Sequence, residues 1–319
     1  MTEPLFEAIA VIGLGLIGSS VARGIKARGL ARKITGYDIS PKVRARASEL
    51  AFCEEIAQTP GEAVAGAELV VIAVPLGATA QAMAAIAPHL AQGAVVTEVG
   101  SVKAAVIRQV MPQLPPGVAF VPGHPIAGTE HSGPDAGFAE LFEGRWCILT
   151  PCERSTEAAV ERVAALWRAL GSAVEIMTPE HHDIVLAITS HIPHLIAFNI
   201  VGTAADVEEV TRSEVIKFSA GGFRDFTRIA ASDPVMWRDV FLNNKEAVLE
   251  MLSRFSEDLA ALQRMIRWDD REALLELFTR TRAIRRGIIE AGQETPEPDF
   301  GRRHGAVPST DIKADPSER

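Results

Sequence analysis

The chain has 319 residues, 47% hydrophobic and 23% charged, with 32 Lys and Arg against 41 Asp and Glu for a formal net charge of -9. That length accommodates two hydrophobic cores, and the acidic balance argues against a nucleic-acid-binding surface, which needs clustered basic charge. The first seven residues lack the basic cluster of a secretory signal, and Cys53, Cys147 and Cys152 lack metal-type spacing, so a cytoplasmic protein with reduced thiols and no metal site is expected.

Apolar runs at Ile9–Ile12, Ile34–Tyr37, Leu69–Val74, Val95–Val99, Val118–Val121, Cys147–Leu149 and Val174–Met177 alternate mostly with helical patterns. Strands alternating with helices imply a parallel, doubly wound sheet. The later strands come closer together, so that edge is expected to be mixed or antiparallel.

The first run leads into Gly13-Leu14-Gly15-Leu16-Ile17-Gly18. Gly13 permits a tight turn, Gly15 lets backbone approach a pyrophosphate, and Gly18 permits close packing of helix on strand. The amides and dipole of the following helix attract the anion. Asp38 follows Gly18 by twenty residues, at the end of the next strand. A carboxylate there accepts hydrogen bonds from ribose hydroxyls and repels a 2′-phosphate, which favours NAD over NADP. The fold class expected is thus α/β, a Rossmann-like doubly wound sheet over residues 1–178. Val74, Pro75 and Ser101 end later strands on the same face and are further cofactor-side candidates.

Further on, His124 stands between a glycine and a proline at the expected end of a buried strand, and a glycine-rich turn follows it. Ligands bind at strand ends of such sheets, and an imidazole there exchanges a proton near neutral pH.

After Met177 no strand pattern is evident. Thr178-Pro179-Glu180 reads as a helix start, with His181, His182 and Asp183 in the first turn as capping and solvated groups. Ile184–Val201 is apolar, but its Ser190, His191, His194 and Asn199 suit a buried core helix with a polar face better than a membrane span. His191 and His194 share a helical face, and Pro193 removes one helical hydrogen bond. A helix opening at Asp233-Pro234 carries a seam from Phe241 to Ile266, and another runs from about Arg271 to Gly292. Residues 179–292 therefore form an all-α domain, and the proline-rich polar tail 293–319 is expected to be disordered.

Four ordered segments carry a family resemblance: Val99-Gly100-Ser101-Val102-Lys103, Pro122-Gly123-His124-Pro125-Ile126-Ala127-Gly128-Thr129-Glu130, Ser190-His191-Ile192-Pro193-His194 and Gly221–Ala230. With the glycine fingerprint, they resemble the prephenate dehydrogenase family, including arogenate and cyclohexadienyl dehydrogenases, over roughly residues 8–290. One departure is Glu98, where the family more often has Asp. The resemblance implies NAD-dependent oxidative decarboxylation of a cyclohexadiene in tyrosine biosynthesis. It implies that His124 accepts the C4-hydroxyl proton, that Ser101 bridges His124 and the nicotinamide side, and that Arg228 and His194 bind substrate. Gly222 belongs to the arginine motif. Glu130 is a candidate for tuning the pocket charge or pairing with Arg228, and Trp237 is either a pocket wall or a core aromatic. The helical domain is implied to dimerise, so the partners expected are a small-molecule substrate and a second copy of the chain, with no nucleic acid and no membrane. Two alternatives stand beside this reading. A 3-hydroxy-acid dehydrogenase of the same plan would need a catalytic lysine, and neither Lys217 nor Lys245 fits that pattern. A non-catalytic NAD sensor would need neither His124 nor Arg228.

Overall fold

The computed structural model describes residues 3–129, 131–211 and 220–290. Glu130, Lys217, Gly292 and the tail 293–319 lie outside the described residues. The chain forms two compact units, Met1–Leu274 and Leu275–Arg319.

Among the described residues the first unit is built on eight strands: β1 (Phe6–Ile12), β2 (Ala31–Tyr37), β3 (Glu55–Ile56), β4 (Leu69–Ile72), β5 (Val95–Glu98), β6 (Ala119–Pro125), β7 (Trp146–Leu149) and β8 (Ala173–Ile176). Their order is β3-β2-β1-β4-β5-β6-β7-β8. Every pairing is parallel except β6 with β7. The strand order reverses between β1 and β4, the position where doubly wound sheets bind ligands. Helices cover both faces, so β1 is apolar from Ala8 to Ile12, with Ile9 and Val11 in one core cluster and Ala10 and Ile12 in the other. β3 has only two residues, too few for a periodic pattern to mark.

β6 runs further than its apolar run suggests. Its parallel partner β5 ends with Glu98 opposite Pro122. Beyond that point antiparallel β7 takes over, pairing Gly123 with Leu149 and His124 with Ile148. His124 is therefore held by strand pairing near the end of β6, the strand-end position expected for it.

The helical part of this unit begins at Pro179–Leu186, capped by the Thr178 side chain accepting from the His181 N–H. A π-helical turn, Ala187–His191, precedes the helix Ile192–Thr211. Pro193 supplies no N–H to the ladder just beyond the widened turn, and such bulges recur at functional sites. Only part of this stretch is core. Ala187, Ile192 and Ala197 are buried, but Ile184, Ile188, Ile200, Val201 and Val207 are exposed, which corrects the expectation of a buried core helix. By length and composition Pro179–Val207 could cross a membrane, with a mean hydropathy of 1.8. The segment expected to be one helix from Pro234 is two, Pro234–Asn243 and Lys245–Arg267. It breaks at Asn244, whose buried side chain donates to the Asp183 carbonyl at 2.8 Å. Arg271–Glu290 forms the last described helix.

Candidate active site

The glycine turn after β1 has the shape a pyrophosphate requires. Gly13 has φ +94, and a Cβ there would overlap the Ala73 carbonyl oxygen at the end of β4. A Cβ at Gly18 would overlap the Gly13 carbonyl oxygen, whereas one at Gly15 would meet nothing within 4 Å. Open space thus lies at the N-cap of the helix Leu16–Arg28, and Gly15 makes no side-chain cap bond there. The Asp38 carboxylate accepts the Leu14 and Ser40 N–H groups, each at 2.9 Å, which ties the end of β2 to the glycine turn. A carboxylate has lone pairs left for ribose hydroxyls. Val74 and Pro75 come just after β4, and the Val74 side chain lies beside Gly13. These features fit a dinucleotide with a free ribose 2′-hydroxyl.

His124 lies on the far side of β5 from β4. Its Nδ1 is 2.8 Å from His182 Nε2. His182 Nδ1 is in turn 2.8 Å from Asp183 Oδ1. The same carboxylate accepts the Lys103 N–H at 2.8 Å and the Ala104 N–H at 3.0 Å, at the start of the helix Ala104–Val110. Burial raises the Asp183 carboxyl, but the hydrogen bonds from His182, Lys103 and Ala104 outweigh it and hold the carboxyl below the usual range. An ionised Asp183 can only accept, so His182 carries its proton on Nδ1 and offers a lone pair at Nε2. His124 must then donate from Nδ1, which leaves its Nε2 as a free base. Burial first, and then His182, Lys103 and His191, hold the His124 imidazole well below its ordinary pKa. His124 is thus a neutral base with a defined tautomer.

His182 and Asp183 are not the solvated first-turn groups expected from the sequence; their relative exposures are 0% and 5%. The phase of the helix was the available signal, since Leu186 and Ala187, four residues on from each, are buried on that same face. Asn244 was also missed. Its Nδ2 lies 3.1 Å from His191 Nδ1, which makes His191 a buried structural group. Ser101 does not cap the helix Ala104–Val110; Asp183 does so from a distant helix.

The helical side contributes a second histidine. His194 Nδ1 donates to the Ser190 carbonyl at 2.9 Å, so its Nε2 also carries a lone pair. Its ring stacks on Trp237 with centroids 3.7 Å apart, and Trp237 is buried. Arg228 opens a 3-10 turn, Arg228–Ala231, close enough to His194 to add to burial in lowering its pKa. The structure therefore brings together His194, Trp237 and Arg228, while Gly222 sits exposed on the helix Gly221–Thr227.

A mostly parallel sheet with a glycine turn at its switch point, an acid after β2 and an oriented imidazole on β6 define a dinucleotide-dependent oxidoreductase. Residues 21–176 match the nucleotide-binding domain of prephenate dehydrogenase, and 178–280 match its dimerization domain. The chain belongs to the prephenate dehydrogenase family. Cyclohexadienyl dehydrogenase of Zymomonas mobilis is 42% identical over 281 residues, 88% of this chain and 96% of that protein. The structure of Aquifex aeolicus prephenate dehydrogenase with hydroxyphenyl propionate and NAD+ superposes with a TM-score of 0.83 at 33% identity, covering 90% of this chain and 99% of that one. Synechocystis arogenate dehydrogenase gives a TM-score of 0.75 at 26% identity, over 88% and 99% of the two chains.

Proposed function

We propose that the chain oxidatively decarboxylates prephenate, arogenate or both with NAD+, a step toward tyrosine. The observation that carries this reading is the hydrogen-bonded series His124–His182–Asp183, which leaves His124 Nε2 unprotonated. The substrate's C4 hydroxyl must lose its proton as that carbon gives up a hydride, and a neutral imidazole suits that transfer. Asp183 stabilises the positive charge that His124 then gains, through His182. Ser101, on the turn after β5, positions the hydroxyl beside His124. Arg228 holds a substrate carboxylate by a planar fork of donors, and His194, braced by Trp237, contacts the substrate side chain. Glu130 and Gly222 complete the substrate site. Bound at the Gly13–Gly18 turn and Asp38, NAD+ supplies the hydride acceptor. Loss of CO2 from C1 aromatises the ring and makes the step irreversible.

In this reading residues 1–178 bind the cofactor and 179–292 supply substrate contacts and the contact with a second copy. The exposed apolar residues of the Pro179–Val207 stretch and of Lys245–Arg267 support a homodimer over a membrane anchor, as does the match to a dimerization domain. Three free cysteines suit the cytoplasm. The test is purified chain, NAD+ and either prephenate or arogenate, followed by NADH absorbance. Turnover of at least one is expected, and none with either would overturn the reading.

A further inference from the structure

We propose that Glu98 is a positioning residue that holds Ser101 and His124 in register, by gripping the backbone of the residue before each, with Lys103 as its buried counter-ion. Glu98 ends β5, and its Oε2 accepts the Gly100 N–H at 2.7 Å while its Oε1 accepts the Gly123 N–H at 3.2 Å. Gly100 precedes Ser101 and Gly123 precedes His124, so one carboxylate spans the two loci where the chemistry is assigned. Lys103 Nζ pairs with Glu98 Oε1 and donates to the Gly123 carbonyl at 2.6 Å. Gly123 is thereby held at both its N–H and its C=O. The glycines fit this arrangement, because a Cβ on Gly100 would lie 2.9 Å from Glu98 Oε2 and one on Gly123 would lie 3.2 Å from the Glu98 carbonyl oxygen.

Both side chains are buried, at 0% exposure for Lys103 and 2% for Glu98. A pair so placed adds little net stability, because desolvation offsets the Coulombic gain. Burial pushes the Glu98 carboxyl up and the Lys103 ammonium down. The donors around Glu98 favour the carboxylate, since a protonated carboxyl would set an O–H against N–H groups that are themselves donors. Such a pair makes sense as a geometric device. Its reach extends further, because the Lys103 N–H also binds Asp183, which orients His182 and through it His124.

The role rests on the proposed function, so the test has one readout that needs turnover and one that does not. Glu98→Gln turns one acceptor oxygen into a donor. It is expected to lower kcat by about tenfold to a hundredfold, with KM for NAD+ and for the diene within about threefold of the parent. Glu98→Asp keeps the charge and is expected to recover most of that loss. The charged and titratable groups around His124 are His182 and Asp183 on one helix, His191 on the turn after it, Glu98 at the end of β5, Lys103 at the start of the helix Ala104–Val110, and Cys147 on β7. Lys103→Met removes the cation that opposes His124 protonation, so the acid limb of kcat/KM is expected to rise. Glu98→Gln leaves that cation uncompensated and is expected to lower the limb. Independently of turnover, the 15N shifts of His124 should report one tautomer in the parent and a mixture in Glu98→Gln. If Glu98→Gln does not fold, Gly100→Ala, which presses on the same carboxylate, carries the same expectations. Parental kcat with unchanged His124 shifts in the folded variant would overturn the role. So would a rise in KM at constant kcat, or an equal loss in Glu98→Asp.

Discussion

His182 Nε2 lies 2.8 Å from His124 Nδ1, and that contact decides which nitrogen of His124 carries the free lone pair. Two imidazoles at hydrogen-bond distance need one donor and one acceptor, and Asp183 settles which is which by demanding the proton on His182 Nδ1. Asp183→Asn removes that demand. The amide has one acceptor oxygen where the carboxylate meets His182 and the Lys103 and Ala104 N–H groups with two. His182 then accepts at Nδ1 and donates from Nε2, and His124 must carry its proton on the nitrogen that should be free. The expected result is a fall in kcat of about two to four orders of magnitude, with KM for NAD+ within about threefold. Steady-state kinetics near pH 8 checks it, and a variant within threefold of the parent's kcat would show that the tautomer is not set this way.

The buried histidines also make stability depend on pH. Burial is the leading cause that lowers His124, His182 and His191, and His191 is lowered to about 4. In the unfolded chain each returns to about 6.5. Between the two values the unfolded state binds more protons than the folded state, so stability rises with pH through that window. On acidification the protein is expected to lose up to about 1.4 kcal/mol per pH unit for each such histidine, starting below about pH 6.5. Urea midpoints at pH 7, 6 and 5 should fall in that order, more gently in His191→Asn. Equal midpoints across the series would contradict it.

The fold was legible wherever burial imposed a period. The alternating apolar runs pointed to the sheet, and the crowding of later strands pointed to a mixed edge, where β6 pairs antiparallel with β7 and β7 parallel with β8. The shape of the glycine turn and its tie to Asp38 were legible because the residue types stand at fixed spacing in the chain. Asp183 was not, because its role depends on a contact with Lys103, eighty residues away. Asn244 was hidden in the same way, since its side chain reaches His191 and Asp183 across the fold and breaks a helix whose apolar seam continues through the break.

Two glycines of the cofactor turn should separate binding from folding. A Cβ at Gly15 meets nothing within 4 Å, so Gly15→Ala is expected to keep its thermal midpoint within about 2 °C while the space for the pyrophosphate is partly filled. NAD+ affinity should fall at least about tenfold by titration calorimetry, the loss of about 1.4 kcal/mol of binding. At Gly18 the added carbon would overlap the Gly13 carbonyl oxygen, and backbone cannot swing away as a flexible side chain can. Gly18→Ala is expected to lose about 2 kcal/mol or more of stability even without cofactor. Equal stability of the two variants would mean that Gly18 has no packing role.

The helix Lys245–Arg267 leaves Leu249, Leu259 and Ile266 at 51%, 50% and 62% exposure within the chain. Single exposed leucines are ordinary, but three on one helix within residues that match a dimerization domain call for a cover. If a second copy covers them, a carboxylate introduced there must be desolvated without a partner in the dimer and stays hydrated in the monomer. Leu259→Glu and Ile266→Glu are therefore expected to shift the light-scattering mass from two chains toward one at micromolar concentration. Their far-ultraviolet circular dichroism should remain that of the parent, because both positions are solvent-facing in the single chain. A variant pair that keeps the parental mass would place the contact between copies elsewhere.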